Sequence, residues 1–222
     1  MQYLYHPDAS ADRLEICGDE YRYLFKVRRH KKDHPIYLRN LSDDILYQYK
    51  VVSLDRRSVK IELVSQQKLI IAPSKELHIG WCIIEPKKIE KTLPMLNEVG
   101  VSKITFIYCQ RSQKQFKVDI QKLQKILINS SQQSGRSVMM QLDEVASLEE
   151  FIQAHPHSHM LNFSDNTLAN DTNVDTITIG CEGGFTKDEI ALFDQDKIIG
   201  LKTPMILRSE SAAVSVASLL ML

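Results

Sequence analysis

The segment from Ile177 to Glu189 constrains the fold of this 222-residue chain more than any other stretch. It consists of a β-branched run that stops at Gly180, a turn with glycines at 183 and 184, and Thr186 followed three residues later by Glu189. Thr with Glu at this spacing is a capping box, which predicts a helix beginning at Thr186. A strand, a glycine-rich turn and a helix start bring backbone N–H groups close to a ligand at the carboxyl edge of a parallel sheet. The segment therefore predicts a ligand-binding turn.

The remainder of the C-terminal part alternates short apolar strands with helices. Strands are predicted at 77–84, 104–108, 139–142, 159–163, 176–179 and 197–201, and helices at 87–99, 120–134, 148–154 and 208–222. This alternation is typical of an α/β fold with a mostly parallel sheet and helices on both faces. Ligands bind beyond the carboxyl ends of the strands in such sheets, so the site is expected beside Gly180 and the loop 201–207.

Residues 1–70 have a different pattern, with short β-rich runs separated by polar turns. These runs lie at 3–5, 14–17, 35–38, 45–52 and 59–64. Regular spacing of this kind predicts a small β-barrel. The pattern of short β-rich runs ends before Pro73, which indicates a domain boundary. The predicted domains are therefore residues 1–70 and 71–222.

One basic helix is predicted to interrupt the barrel, starting at Gly18. It carries six cations in eleven residues, with aromatic residues interleaved; these cations are Arg22, Lys26, Arg28, Arg29, Lys31 and Lys32. The net charge of the chain is zero, but its first 140 residues carry 24 Lys and Arg against 15 Asp and Glu, and the last 82 carry 4 against 13. A basic, aromatic-rich helix on a small barrel favours phosphate contacts with RNA. A solubilising helix face is the alternative.

The composition also sets expectations about the compartment. No basic N-terminal leader and no stretch of about 18 apolar residues is found, so neither a signal peptide nor a membrane span is predicted, and a cytoplasmic location is expected. The cysteines at 17, 82, 109 and 181 lack a C-x-x-C spacing. They are expected to be free thiols, and no metal site is predicted.

Three charged residues, Glu182, Arg208 and Glu210, stand in apolar or glycine-rich surroundings. Because buried charges need partners, a Glu–Arg pair that holds two loops together is predicted. That structural role does not exclude a functional one.

The pattern of residues 179–189 followed by 206–212 resembles the bacterial ribosomal RNA methyltransferases that modify N3 of uridine 1498 in 16S rRNA, which belong to the SPOUT class of knotted methyltransferases. Further matches lie at 27–29, 97–101, 111–112 and 132–136, so the resemblance covers nearly the whole chain. Several departures are notable. Cys181 stands where the family has proline, Met95 where it has lysine, and Lys202-Thr203 where it has Leu-Gly.

The resemblance implies a small N-terminal PUA-like β-barrel and a C-terminal SPOUT α/β domain with a trefoil knot. It implies S-adenosylmethionine as the cofactor, bound by main-chain groups of three loops. The residues expected to bind the cofactor are Leu161, Asn162, Phe163, Gly180, Glu182, Gly183, Leu201, Lys202, Met205, Ile206 and Leu207.

Methylation of a uracil N3 requires loss of its proton and stabilisation of the charge that spreads onto two carbonyl oxygens. Arg208 and Arg136 are the predicted stabilising groups, with Glu210 orienting Arg208, and Arg111 joins the predicted RNA-binding set. The resemblance implies 16S rRNA as partner, in the small ribosomal subunit or a late assembly intermediate, and a homodimer to which the last helix contributes. Two alternatives stay open: a methyltransferase acting on a different RNA site, and a non-catalytic RNA-binding or ribosome-assembly protein with the same fold.

Overall fold

A computed structural model describes residues 2–169 and 173–222 of the chain. The chain divides into two compact units: Met1–Ala72 with Ile128–Met139, and Pro73–Leu127 with Met140–Leu222. The first unit holds an N-terminal five-stranded sheet, and the second holds a six-stranded sheet. The first unit thus includes a segment, 128–139, that lies outside the predicted barrel domain.

The sheet of the first unit contains all five strands that the sequence predicts. They are β1 (Leu4–Tyr5), β2 (Arg13–Cys17), β3 (Ile36–Arg39), β4 (Ile45–Leu54) and β5 (Ser58–Lys68), in the order β1-β3-β4-β5-β2. The pair β1 and β3 is parallel and the other pairs are antiparallel. Alternate residues such as Val59 and Ile61 on β5 are buried in one apolar cluster, as expected for a sheet with one face towards a core.

The basic helix begins at Gly18, as predicted, but it is shorter than the basic segment. Helix α1 spans only Gly18–Arg22 and continues into a π-helical turn, Tyr23–Val27. The Arg28 N–H donates to the Tyr23 carbonyl five residues back, at 2.9 Å. The wider turn accompanies stacking of the Tyr21 and Phe25 rings, whose centroids lie 5.1 Å apart. The helical residues end at Val27, so the expectation that the helix also carries Arg28, Arg29, Lys31 and Lys32 is wrong, and these four cations follow it.

The second unit is built on a parallel sheet, as predicted. Its strands are β6 (His78–Cys82), β7 (Lys103–Ile107), β8 (Gln141–Val145), β9 (His159–Leu161), β10 (Thr176–Ile179) and β11 (Ile198–Ile199). Their order is β11-β9-β10-β6-β7-β8, and every pair is parallel. The strand predicted at 139–142 begins at Gln141, and the one predicted at 197–201 is two residues long.

In the part of the chain that the structure describes, five α-helices follow α1. They are α2 (Pro86–Val99), α3 (Ile120–Ser134), α4 (Leu148–Ala154), α5 (Lys187–Ile190) and α6 (Ser209–Met221). Helix α2 begins with proline at its first position, where the missing N–H costs nothing, and ends at Gly100 as predicted. Helix α6 packs against α2 and β10, and its buried residues include Ala213, Val216 and Ala217. This packing holds the start of α6 at the carboxyl ends of the strands.

The cysteines correct one expectation. Cys82 and Cys109 form a disulfide, with their Cα atoms 5.7 Å apart, whereas Cys17 and Cys181 are free. The prediction of four free thiols is wrong because β6 and β7 are neighbouring strands. Their register sets Cys82 opposite Ile107, two residues before Cys109. A separation of 27 residues in the sequence hides this proximity.

Within residues 2–169 and 173–222, no helix is long and apolar enough to cross a membrane. The same residues contain no group of three or more His, Cys, Asp or Glu side chains that could hold a metal ion.

Candidate functional site

A cavity of about 810 Å³ lies in the second unit, at the carboxyl ends of β9, β10 and β11. Three segments form most of its wall: the loop 161–165 after β9, the turn 179–185 after β10, and the segment 200–209 that leads from β11 to α6. These segments meet because Leu161 lies in register with both Ile179 and Ile199 on the flanking strands. The position agrees with the prediction from sheet topology.

The turn after β10 is fixed at its far end by the predicted capping box. The Thr186 hydroxyl accepts from the Glu189 N–H at 3.2 Å, and a Glu189 carboxylate oxygen accepts from the Thr186 N–H at 2.8 Å. The other carboxylate oxygen accepts from the Gln110 N–H at 2.8 Å, and Glu189 is 1% exposed. Glu189 therefore joins the turn to the loop that follows β7.

Arg111, predicted to contact RNA, packs on the same turn. Its guanidinium donates to the Gly183 carbonyl at 2.7 Å, and a Cβ at position 183 would lie 3.2 Å from the Arg111 Cβ. A side chain at 183 would therefore crowd Arg111 and require it to shift, so the glycine permits this close approach. The Arg111 side chain still has an exposed surface.

A second glycine, Gly200, allows two segments of the opposite cavity wall to pack closely. A Cβ there would lie 2.7 Å from the Ser164 carbonyl oxygen, so the backbones of the two segments can approach only without a side chain at 200. The sequence prediction did not include Gly200 or Asp165, although both line the cavity. A single glycine after two isoleucines gives no recognisable motif.

The floor of the cavity is tied to the sheet by a buried chain of hydrogen bonds. The Trp81 indole N–H donates to the Ser209 hydroxyl at 2.9 Å, and that hydroxyl donates to the Gly180 carbonyl at 2.5 Å. Ser209 is the first residue of α6, and Trp81 is fully buried on β6. One hydroxyl thus connects a central strand, the glycine-rich turn and the last helix.

The predicted Glu–Arg pair is wrong. Glu182 pairs instead with Lys88 of α2, with 2.7 Å between the Lys88 Nζ and a carboxylate oxygen, and this carboxylate raises the pKa of the Lys88 ammonium. Glu210 has one buried carboxylate oxygen with no hydrogen-bond partner among the described residues. Arg208 precedes α6 in an extended conformation and is exposed. Its side chain lines the cavity wall, and within the described residues it forms no ion pair with either carboxylate.

The structure brings together nearly all residues predicted to bind the cofactor. Ten of the eleven line the cavity, and the exception is the exposed Lys202. Neither Lys202 nor Thr203 has a positive φ, and the Thr203 hydroxyl accepts from the Met205 N–H at 3.1 Å. The replacement of Leu-Gly by Lys-Thr therefore requires no unusual backbone, and the threonine adds a hydrogen bond within the loop.

Arg136 belongs to the first unit and is 5% exposed. Its Nε donates to the Val138 carbonyl at 2.7 Å, its own carbonyl accepts from the Tyr3 hydroxyl at 2.6 Å, and burial lowers the pKa of its guanidinium to about 10. These are the contacts of a structural residue of that unit. A catalytic role for Arg136 stays a prediction.

The basic segment of the first unit is mostly exposed. Five of its six cations have exposed side chains: Arg22, Lys26, Arg29, Lys31 and Lys32. The sixth, Arg28, is half-buried; its guanidinium lies 4.5 Å from the Tyr23 ring centroid and donates to the Tyr3 carbonyl at 3.3 Å. Arg28 therefore has an internal structural role that its sequence position did not reveal.

Comparisons with known proteins agree with this architecture. Residues 72–221 match a family described as an RNA methyltransferase domain, and residues 16–64 match an RNA methyltransferase PUA domain. The ribosomal RNA small subunit methyltransferase E of Helicobacter pylori strain J99 is 40% identical over 223 residues, which cover 99% of each chain.

Two solved structures have the same fold. One is a methyltransferase from Legionella pneumophila in complex with S-adenosylmethionine, with a TM-score of 0.79, 22% identity, and coverage of 97% of this chain and 95% of that one. The other is a ribosomal RNA small subunit methyltransferase E from Neisseria gonorrhoeae bound to S-adenosylmethionine, with a TM-score of 0.78, 16% identity, and coverage of 98% and 95%.

The expected fold class, a PUA-like N-terminal domain with a C-terminal SPOUT α/β domain, is thereby confirmed. The threading of the trefoil knot stays a prediction, because residues 170–172 of the connection between β9 and β10 lie outside the described residues.

Proposed function

The chain belongs to the ribosomal RNA small subunit methyltransferase E family of RNA methyltransferases, and we propose that it transfers a methyl group from S-adenosylmethionine to N3 of uridine 1498 in 16S ribosomal RNA. The observation that carries the proposal is the cavity at the carboxyl ends of β9, β10 and β11, with Arg208 at its wall. Within the described residues, the Arg208 guanidinium makes no hydrogen bond or ion pair, so it is available to a substrate.

The cavity suits the donor in size and chemistry. Its volume of about 810 Å³ lies within the range of roughly 300–1,000 Å³ that small-molecule sites occupy. Met205 and Ile206 are 68% and 83% exposed, so they offer an apolar face to an adenine ring. The carboxylates of Glu182 and Asp165 suit its cationic groups. When bound, the donor supplies a methyl group on a positively charged sulfur.

We propose that S-adenosylmethionine is bound by the eleven residues that the family resemblance implies. Main-chain groups of Gly180 and Gly183 approach it most closely, and Leu201, Met205, Ile206 and Leu207 surround its base. Lys202 is included as a neighbour at the rim.

Arg208 provides the charge that the uracil requires. In this proposal the N3 proton passes to a water molecule, which leaves negative charge on the two carbonyl oxygens beside N3, and an exposed guanidinium at the cavity wall can donate to one of them. The Watson–Crick edge of the uridine must be free to enter, so the base is splayed out of its stack before reaction. In this proposal the Arg208 guanidinium moves into the cavity when RNA binds, and the Glu210 carboxylate then orients it.

RNA binding and catalysis are assigned to different domains in this proposal. We propose that residues 1–70 form the RNA-binding domain, with Arg22, Lys26, Arg29, Lys31 and Lys32 contacting phosphates, and that residues 71–222 form the catalytic domain. Arg111 contacts RNA near the turn. The substrate is 16S rRNA in the small subunit or a late assembly intermediate, in the cytoplasm, and the enzyme acts as a homodimer to which α6 contributes.

Two measurements test the proposal. Calorimetry with S-adenosylmethionine should show saturable binding to the purified chain. Small subunits from a strain lacking the gene, incubated with enzyme and donor, should then acquire a single strong reverse-transcription stop at uridine 1498, because a methyl group on N3 blocks base pairing.

The outcomes separate the alternatives. A stop at another nucleotide would identify a methyltransferase with a different RNA site. RNA binding without donor binding would identify a non-catalytic assembly protein.

A further inference from the structure

Lys88 lies beside the site, although neither the sequence pattern nor the family resemblance predicted it there. It is the third residue of α2, which follows the central strand β6. Its side chain is 31% exposed, and its ammonium contacts Glu182 at 2.7 Å. Glu182 lines the donor cavity, whereas Lys88 does not.

The ammonium lies among three carboxylates. Glu182 raises the pKa of Lys88 most, through its hydrogen bond, and the charges of Glu210 and Glu85 add to the effect. Glu182 stands on the glycine-rich turn and Glu210 on the first turn of α6. One cation therefore balances acids from the two segments that form the cavity floor.

Glu182 needs such a partner to have a fixed position. Its neighbours Gly180, Gly183 and Gly184 carry no side chains that restrain it, and it is 43% exposed. Holding one carboxylate oxygen restricts the rotamers of the side chain and leaves the second oxygen free to accept a hydrogen bond from a ligand. Within the described residues, Glu182 makes no other hydrogen bond.

We infer that Lys88 is a positioning residue of the methyl-donor pocket: its ammonium fixes the Glu182 carboxylate so that the free carboxylate oxygen accepts a hydrogen bond from the donor. The inference rests on the proposed function, and it states how the Glu182 carboxylate is held in position before the donor binds. Lys88 itself does not touch the donor.

The neighbouring Lys87 provides a matched control. It lies on the same turn of α2, carries the same charge and is exposed, without an ion pair among the described residues. Lys88→Met and Lys87→Met therefore remove the same charge from the same turn of α2, and only Lys88→Met removes the contact with Glu182.

The test is calorimetry of S-adenosylmethionine binding to the full chain, with kcat and KM measured on small subunits. Lys88→Met should raise the Kd and the KM for the donor roughly tenfold, as expected for loss of one charge-assisted contact, and should leave kcat nearly unchanged. Lys88→Arg should restore most of the affinity, and Lys87→Met should match the wild type. In a Glu182→Gln background, Lys88→Met should add no further loss.

Each contrary outcome has a distinct meaning. Wild-type affinity in Lys88→Met would overturn the inference while leaving the proposed function intact. Additive losses in the double variant would also overturn it, because Lys88 would then act independently of Glu182. Absence of donor binding to the wild-type chain would instead contradict the proposed function.

Discussion

The Ser209 hydroxyl donates to the Gly180 carbonyl at 2.5 Å while it accepts from the Trp81 indole. Gly180 begins the turn that lines the cavity, and Ser209 begins α6, so their contact sets the distance between two cavity walls. The Trp81 side chain, which supplies the N–H, is fully buried on β6. The geometry of the cavity is thus coupled to the core of the sheet through one oxygen atom.

Ser209→Ala should lower both stability and donor affinity. The substitution leaves the buried Trp81 N–H and Gly180 carbonyl unpaired, which costs about 1–3 kcal/mol and lowers Tm by roughly 3–10 °C. Ser211→Ala, at an exposed position on the same helix, is the control and should change neither. Calorimetric scans and donor titrations of both variants measure the effect, and equal Tm values for the two would contradict the structural role of Ser209.

Stability should fall between about pH 6.5 and about pH 4 because of His78. Burial lowers its pKa from 6.5 to about 4, and the charges of His155 and Lys103 add to the shift. Above pH 6.5 the side chain is neutral in both states and imposes no penalty. As the pH falls through that window, His78 binds a proton in the unfolded chain but not in the folded chain, so the free energy of unfolding decreases.

Urea unfolding at about pH 7.5 and about pH 5 measures this loss. His78→Gln, which retains a polar group near the Thr105 hydroxyl that lies 2.8 Å from the ring, should lose less stability between the two pH values than the wild type. His157→Gln, at an exposed position, should behave as the wild type. An unchanged pH dependence in His78→Gln would refute the assignment.

A second basic site should contribute to RNA affinity beside the predicted helix. The Tyr21 hydroxyl donates to the Asp55 carbonyl at 2.8 Å, which holds the β4–β5 turn and its exposed Arg56 and Arg57 next to α1. Replacing both arginines by glutamine should reduce the slope of log K against log salt by about 1.5, since each phosphate contact releases counterions.

The matched control is the double variant Arg13→Gln/Lys50→Gln. It removes two cations from the same sheet, but Glu62 already pairs with both, at 3.0 and 2.8 Å. Fluorescence titrations with a 16S rRNA fragment over a range of salt concentrations should show an unchanged slope for the control. Equal slopes in the two double variants would contradict the second site.

Reducing agent should destabilise the second unit. The Cys82–Cys109 disulfide closes a loop between β6 and the segment that carries Gln110 and Arg111, and its reduction should cost about 2–4 kcal/mol. Cys82→Ser/Cys109→Ser should have the stability of the reduced wild type whether or not dithiothreitol is present, whereas Cys17→Ser should respond to reductant as the wild type does. A wild-type Tm that is insensitive to reductant would show that this bridge does not stabilise the fold.

Local patterns in the sequence predict most of the fold and the outline of the cavity. The capping box at Thr186 and Glu189 and the alternation of strands and helices depend on residues near one another in the chain, so the positions of the elements follow from them. The cavity then follows from the rule that ligands bind beyond strand carboxyl ends.

Contacts between distant residues could not be predicted in this way. Lys88 meets Glu182 across 94 residues and Trp81 meets Ser209 across 128, and neither pair belongs to a motif. Cys181, which replaces the usual proline, donates through its thiol to the Gly184 carbonyl at 3.8 Å, and burial raises the pKa of that thiol. The cysteine thus adds a weak bond across the turn, where proline would have supplied only a fixed φ.

The central claim is that the Arg208 side chain, at the wall of a methyl-donor pocket, enables methylation of a uracil N3. The most direct test is nucleoside mass spectrometry of 16S rRNA from a deletion strain complemented with the wild-type gene or with Arg208→Ala. We predict that 3-methyluridine disappears in the deletion, returns with the wild type and stays absent with Arg208→Ala, although the purified variant binds S-adenosylmethionine with nearly wild-type affinity. Full 3-methyluridine in the deletion strain, or its full return with Arg208→Ala, would contradict the account.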